Sequence, residues 1–423
     1  MKVFHKIKAQ AMQFALLISV LIALLLSAFL LLTHVQSFFR IKSGELIEAT
    51  ETATLQILKS LEENNISQDT LVVKESDQTK KMIANYHGVW TKVFSEITVR
   101  NQKITKTAFI GSAFQEKSPN LYLANTNSPL VVVGNTRLEG NSYLPKQGVK
   151  AGNISGHYYQ GSGLYYGNVF QSKEILPKLD DYWISYITSL TKGILIREKN
   201  SIALAGDLKN SFNKPYKIVY SPSSIVLGDE KIAGNVIIQS DTKIVVHPTT
   251  LLENTLLVAP HIIINDGVKG NIQIVASKKI EIGKNCHLSY PSSITLFDQT
   301  KTPKMSNSSS LQNREINFVI GKNTLIEGSV IYLPIQTKKQ DRIKTNLKIE
   351  PGTEIIGEIY CQGNIEFQGT IRGSLYTKQC IANQSGSIYL NHIYNGKILI
   401  NPIPDYAGLP FVNSKNKIAK WLY

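Results

Sequence analysis

The stretch NTLIEGSVIYLP, Asn323 to Pro334, sets a turn residue, a short aliphatic run broken by one glycine, and a closing proline in one small unit. A shorter echo, NTRLEGNSYLP, runs from Asn135 to Pro145, and a looser one, PTTLLENTLLVAP, from Pro248 to Pro260. None holds an obvious catalytic residue, so the repetition points to architecture. Around these units, from about Asn85 onward, helical periodicity is absent. Runs such as PLVVVGN, NVIIQSD, KIVVHP, HIIIND and KIEIGKN alternate with Gly, Asn, Asp and Pro turns, the pattern of short strands.

The spacing says more than the composition. The hydrophobe that opens each unit falls at Leu227, Val246, Ile264, Ile282, Ile320, Ile349 and Phe367, in steps of 19, 18, 18, 38, 29 and 18 residues. The two long steps contain DQTKTPKMSNSSSLQN and IQTKKQDRIKTN, polar stretches that read as loop insertions. A unit of roughly 18 residues cannot bury its own apolar side, and stacking each copy on the next is the available solution. The expected fold is therefore mainly β, a parallel β-helix with short coils of about 18 residues. Its coils would lie about 4.8 Å apart, with Gly or Asn at corners that need positive φ. The repeated unit is then one corner and the strand that follows it. Its copy at Asn135 predicts coils, or a related β layer, well before residue 220.

IEPGTEIIGEIYCQGNIEFQGTIRGSLYTKQ, Ile349 to Gln379, resembles the bactofilins, polymer-forming bacterial scaffold proteins. The resemblance covers roughly Ile225 to Ile400 and implies a β-helical rod able to stack end to end, without nucleotide or metal.

The amino-terminal end has a different physics. No charged residue occurs from Ala9 to Phe39, and Met12 to Leu32 is almost wholly Leu, Ile, Ala, Val and Phe. Twenty-one residues rising about 1.5 Å each match the thickness of a bilayer's hydrocarbon core, so a membrane span is expected. The run exceeds a signal peptide's usual apolar region and lacks a small-x-small closing site, which favours an uncleaved anchor. Lys2, Lys6 and Lys8 before the span outweigh Arg40 and Lys42 after it, placing the amino terminus in the cytoplasm and the bulk outside. Beyond the span, Leu46/Ile47, Thr50, Ala53/Thr54, Ile57/Leu58 and Leu61 recur at three- and four-residue steps, predicting an amphipathic continuation of the same helix. QFALLISVLIALLLSAFLLL followed by this polar helix resembles the amino-terminal helix of minor type IV pilins and of the minor pseudopilins of type II secretion.

The formal charge of +15, from 46 Lys and Arg against 31 Asp and Glu, is spread along the chain. It implies general attraction to anions, such as anionic lipid or acidic cell-wall polymer. No basic run with interleaved aromatics marks a specific nucleic-acid track. Cys286, Cys361 and Cys380 have no CxxC spacing and read as small buried apolar residues. Cys361 and Cys380, about one coil apart, either stack within disulfide reach or belong to an inward ladder of small residues.

Catalytic β-helices need a histidine between coils or clustered carboxylates on one face. His247, His261 and His287 read as corner or solvent-facing residues, and Asp207, Asp229, Asp241, Asp266 and Asp298 as isolated turn residues. Asp180-Asp181 reads as a helix cap or turn. No P-loop, HExxH or GxSxG motif occurs. No catalytic, cofactor or metal residues are assigned and no cofactor is expected. The one candidate surface is GHYYQGSGLYYG, in which Tyr158, Tyr159, Tyr165 and Tyr166 either form a stacking platform for a sugar or partner protein or pack on the core face of a β-hairpin.

The chain thus divides into an anchor helix (1–65), a β-rich middle region (66–220) and a parallel β-helix (221–423). The expected role is a non-catalytic, single-pass inner-membrane protein with an extracytoplasmic body. It would act as a scaffold or minor component of an envelope assembly, with envelope proteins or further copies as partners. A minor pilin- or pseudopilin-like subunit and a β-helix enzyme acting on polysaccharide or acyl groups are the alternatives.

Overall fold

In the computed structural model, helix α1 runs unbroken from Ala9 to Glu62, 54 residues or about 80 Å. The structure describes residues 9–62, 70–75, 78–100, 102–114, 118–193, 201–300, 315–335, 343–400, 406–412 and 414–422. The lysines expected to precede the span, and most of both predicted insertions, lie outside these residues. Met12 to Leu32 is exposed on every side, and the helix is long and apolar enough to cross a membrane.

The second half of α1 packs on an antiparallel sheet. Its strands are β1 (Thr70–Glu75), β2 (Gln78–His87), β3 (Trp90–Val99) and β4 (Gln102–Ala113), joined in that order. The carboxy-terminal Asn416–Leu422 returns to pair with β4. Strands therefore begin at Thr70, within the region read as β-rich from residue 66. Ile57 packs with Ala84, Val93, Ala108 and Ile110, and Ala49 and Ala53 with Ile97 and Val99. The expected apolar stripe is corrected here: Ala53 and Ile57 are buried, but Leu46, Ile47 and Leu58 point outward. The contact line follows four-residue steps through small residues, because alanines let the sheet's backbone approach closely. Arg100 binds Glu45 at 2.6 Å, and the Ser95 hydroxyl donates to Gln56 at 2.7 Å, fixing helix and sheet in register.

Most remaining strands belong to one closed, dominantly parallel sheet. Its pairing reproduces the sequence spacing position by position. Leu227 faces Val246, which faces Ile264, then Ile282, Ile320, Ile349 and Phe367. All seven are buried, and each fully buried aliphatic side chain contributes about 1.5–3 kcal/mol relative to exposure. A second inward ladder joins Val219, Ile238, Leu257, Ile274, Ile294, Val330, Ile359 and Leu375.

Positions of positive φ carry mostly asparagine and glycine. Asn323, the first residue of the opening stretch, has φ +56°, and the corner it bonds to carries Gly352 at φ +77°. The glycine of the same stretch, Gly328, faces Gly357, which faces Gly373, at φ +143°, +144° and +138°. Only glycine adopts that region readily.

Chain order and spatial order diverge at one end. Leu375 pairs with Leu121 and Ile398 with Leu138; Leu121 then pairs with Ser142, and Ser142 with Val169. The Asn135 echo therefore does lie in the same sheet, but beyond the carboxy-terminal strands. Residues 172–193 return along the sheet and include a second helix, α2 (Asp181–Thr191), at the place where Asp180-Asp181 reads as a helix cap or turn. Asp180 caps it, accepting N–H bonds from Tyr182 at 2.7 Å and Trp183 at 3.0 Å. Trp183, Ile187 and Leu190 bury against Ile237, Leu256, Val258 and Val275. One outer face of the closed sheet is thus apolar, and α2, the β2–β3 turn and residues 406–412 cover it.

Candidate interaction surfaces and the junction

The four tyrosines separate into two pairs. Tyr159 and Tyr166 are half-buried, and both hydroxyls are used within their own loop: Tyr159 donates to Gly163 O, and Tyr166 meets Ser162 Oγ at 2.9 Å. Arg137 lies over the Tyr166 ring at 4.3 Å and binds Glu139 at 2.6 Å. Tyr158 and Tyr165 project into solvent. The single platform is therefore reduced to two free rings beside a loop braced by the other two.

A separate aromatic stack climbs the outer face of the closed sheet. Tyr360, Tyr376, Tyr122, Tyr143 and Phe170 occupy successive ladder positions. Ring centroids are 4.9–6.4 Å apart. The stack is buried at Tyr360 and ends on exposed Phe170.

The histidines remain apart. His261 Nε2 lies 3.4 Å from Glu281, and His287 Nε2 lies 3.9 Å from Glu327. Burial lowers the His261 pKa despite Glu281. His247 lines an open cleft of about 650 Å³ with Asp207, Asp229 and Glu230, gathering residues that look isolated in sequence. Two of these carboxylates hold backbone: Asp207 accepts Lys231 N–H at 2.9 Å, and Glu230 accepts Gly228 N–H at 2.7 Å. Among the described residues no group of three or more His, Cys, Asp or Glu is arranged to hold a metal.

The three cysteines are free and buried. Cys361 faces Thr377, and Cys380 faces Ile365, so the sulfurs occupy different ladders. A full coil of 19 residues would have aligned them, but the pairing here advances only from Ile359 to Leu375. Burial pushes the Cys361 thiol up to about 12, which disfavours the reactive thiolate.

One buried polar constellation escaped sequence reasoning. At the β2–β3 turn, Gly88 has φ +64°. Val89 N–H donates to Gln273 Oε1 at 2.9 Å, and Gln273 Nε2 donates to His87 Nδ1 at 3.0 Å. Trp183 Nε1 donates to Gly88 O, and Trp90 Nε1 to Pro291 O, each at 3.0 Å. His87 packs between Phe109 and Phe212. Burial, with the nearby Lys92 charge, brings its pKa down to about 3, so it stays neutral. Sequence signal was present: YHGVW puts two large aromatics and a histidine around a turn glycine. The arrangement joins the sheet on α1 to the closed sheet through buried, directional bonds, and it has no open face for a substrate.

No family model matches this chain, and no curated protein or solved structure matches it.

Proposed function

We propose that the protein is a membrane-anchored envelope scaffold in which the closed sheet is a parallel β-helix, a column of stacked coils. Pairing offsets that stay between 16 and 20 residues along both inward ladders outside the two insertions, inward aliphatic side chains and stacked glycines support the β-helix reading. One observation carries the functional reading: the apolar half of α1 continues without a break into the half that packs on β3 and β4. A rigid column is thereby set at a fixed attitude to the bilayer. The β-helix and stalk then present surfaces to other envelope components, and the excess of basic residues favours contact with anionic wall polymer or lipid.

Two alternatives each draw on one observation. The continuous helix would let laterally packed spans hold several bodies in register, as a minor pilin- or pseudopilin-like subunit requires. The Asp207, Asp229, Glu230 and His247 cleft favours an enzyme acting on glycans, but backbone N–H bonds occupy two of its three carboxylates.

Reporters fused to the carboxy terminus test the placement. A reporter active only outside the cytoplasm should be active and a cytoplasm-only reporter silent. Gently solubilised membranes should yield the chain in complexes larger than itself. The reverse reporter pattern would indicate a tethered cytoplasmic polymer, and a lone chain in both detergent and native membrane would remove the assembly role.

A further inference from the structure

Residues 406–412 form a strap across the junction. Tyr406 donates its hydroxyl proton to Gly328 O at 3.0 Å, and Tyr290 donates to Ala407 O at 3.0 Å. Phe411 N–H donates to Ser112 Oγ of β4 at 3.2 Å. Val412 N–H donates to Lys178 O at 3.1 Å, and Asp180 N–H to Pro410 O at 2.8 Å. One short segment is thus bonded at once to the closed sheet, to the antiparallel sheet on α1 and to the approach to α2.

Glu358 lies beneath it, 5 % exposed, on the outer face between Ser329 and Ser374 of the neighbouring strands. Leu409 N–H donates to its Oε2 at 2.7 Å. Gly408 lies so close that a Cβ there would overlap the carboxyl group. The titratable groups that bear on it are phenols: Tyr290, Tyr376 and Tyr406. Among the described residues no Lys, Arg or His pairs with it. A charge in this position would be held by one peptide N–H among aromatic rings, an expensive arrangement.

We propose that Glu358 is a pH-operated clasp: as the neutral acid it seats residues 406–412 on the closed sheet, and as the carboxylate it loosens them. This goes beyond the scaffold reading, because it concerns how two parts of one chain hold together whatever the assembly. Burial pushes the carboxyl up to about 7, against the opposing pull of Leu409 N–H. An acid whose pKa is raised in the closed state favours closure below its ordinary range near 4.5, and that advantage is lost as pH rises through about 7.

The test is amide exchange on the full chain in detergent micelles from pH 5.5 to 8.5, corrected for intrinsic exchange rates. Opening of Leu409, Phe411 and Val412 should increase about thirtyfold across this range. Amides of Leu251–Ile264 should hold steady. Glu358→Gln should flatten the profile, and Glu358→Met provides a second uncharged variant should the first fail to fold. A flat profile in the unsubstituted chain, or a folded variant of either kind that keeps the original slope, overturns the proposal.

Discussion

Gly357→Ala should lower the stability of the body by about 2–6 kcal/mol, read as a fall in the urea midpoint of the full chain in micelles. Two costs combine. The residue sits at φ +144°, a region worth roughly 1–3 kcal/mol against any side chain, and the new Cβ would land on the Gly328 carbonyl oxygen. That oxygen is backbone of the adjacent strand and cannot swing aside, so overlap adds about 1–3 kcal/mol more. Because Gly328 and Gly373 continue the same stack, alanine at either should behave alike. Gly228 is the control: nothing lies within 4 Å of its would-be Cβ, and alanine there should cost less than about 1 kcal/mol. Equal effects at Gly357 and Gly228 would mean that the glycine stack does not hold the sheet together.

Leu21→Arg combined with Leu25→Arg should release the chain from the membrane. Each arginine at the centre of a span costs about 2.5–3.5 kcal/mol on the insertion scale, and both positions are exposed on the one helix among the described residues that is long and apolar enough to cross a membrane. The doubly substituted chain should leave the membrane fraction on alkaline washing, while its body, whose contacts with α1 lie at Glu45 and beyond, keeps its fold. Retention in the washed membrane would show that something other than α1 holds the protein there.

How much of this was legible in the sequence depends on whether a residue's partner is set by local period or by distant contact. The Leu227 to Phe367 series was readable because each position repeats one burial requirement at nearly fixed spacing, and the insertions only lengthened two steps. The placement of residues 121–171 beyond the carboxy-terminal strands was not readable, since the edge of a parallel sheet can accept any strand of matching pattern. Helix α2 did carry a signal, with Asp180 as cap and Trp183, Ile187 and Leu190 at helical steps, but eleven residues among many short strands were swamped by the β pattern. On α1 the stripe was readable at Ala53 and Ile57, yet Ala49 completes the buried face where Leu46, Ile47 and Leu58 point outward, because contact with a sheet selects for closeness as well as hydrophobicity. The tyrosine cluster was visible as a cluster, and only the hydroxyl partners divide it into bracing and projecting rings. The junction pairs His87 and Val89 with Gln273, and Trp90 with Pro291, nearly two hundred positions apart or more, and nothing local marks such pairs.

The stacking itself is open to one direct distance measurement. Val226, Val245, Ile263, Glu281, Val319 and Lys348 are successive partners on an outward-facing ladder. Spin labels on Val226→Cys and Lys348→Cys therefore sit five strand spacings apart, and the three native cysteines are buried away from the reagent. Stacked parallel strands give a narrow distribution centred near 24 Å between the labelled backbones, from about 4.8 Å per step. A broad distribution, or a narrow one far from that distance, would contradict the column and with it the scaffold built upon it.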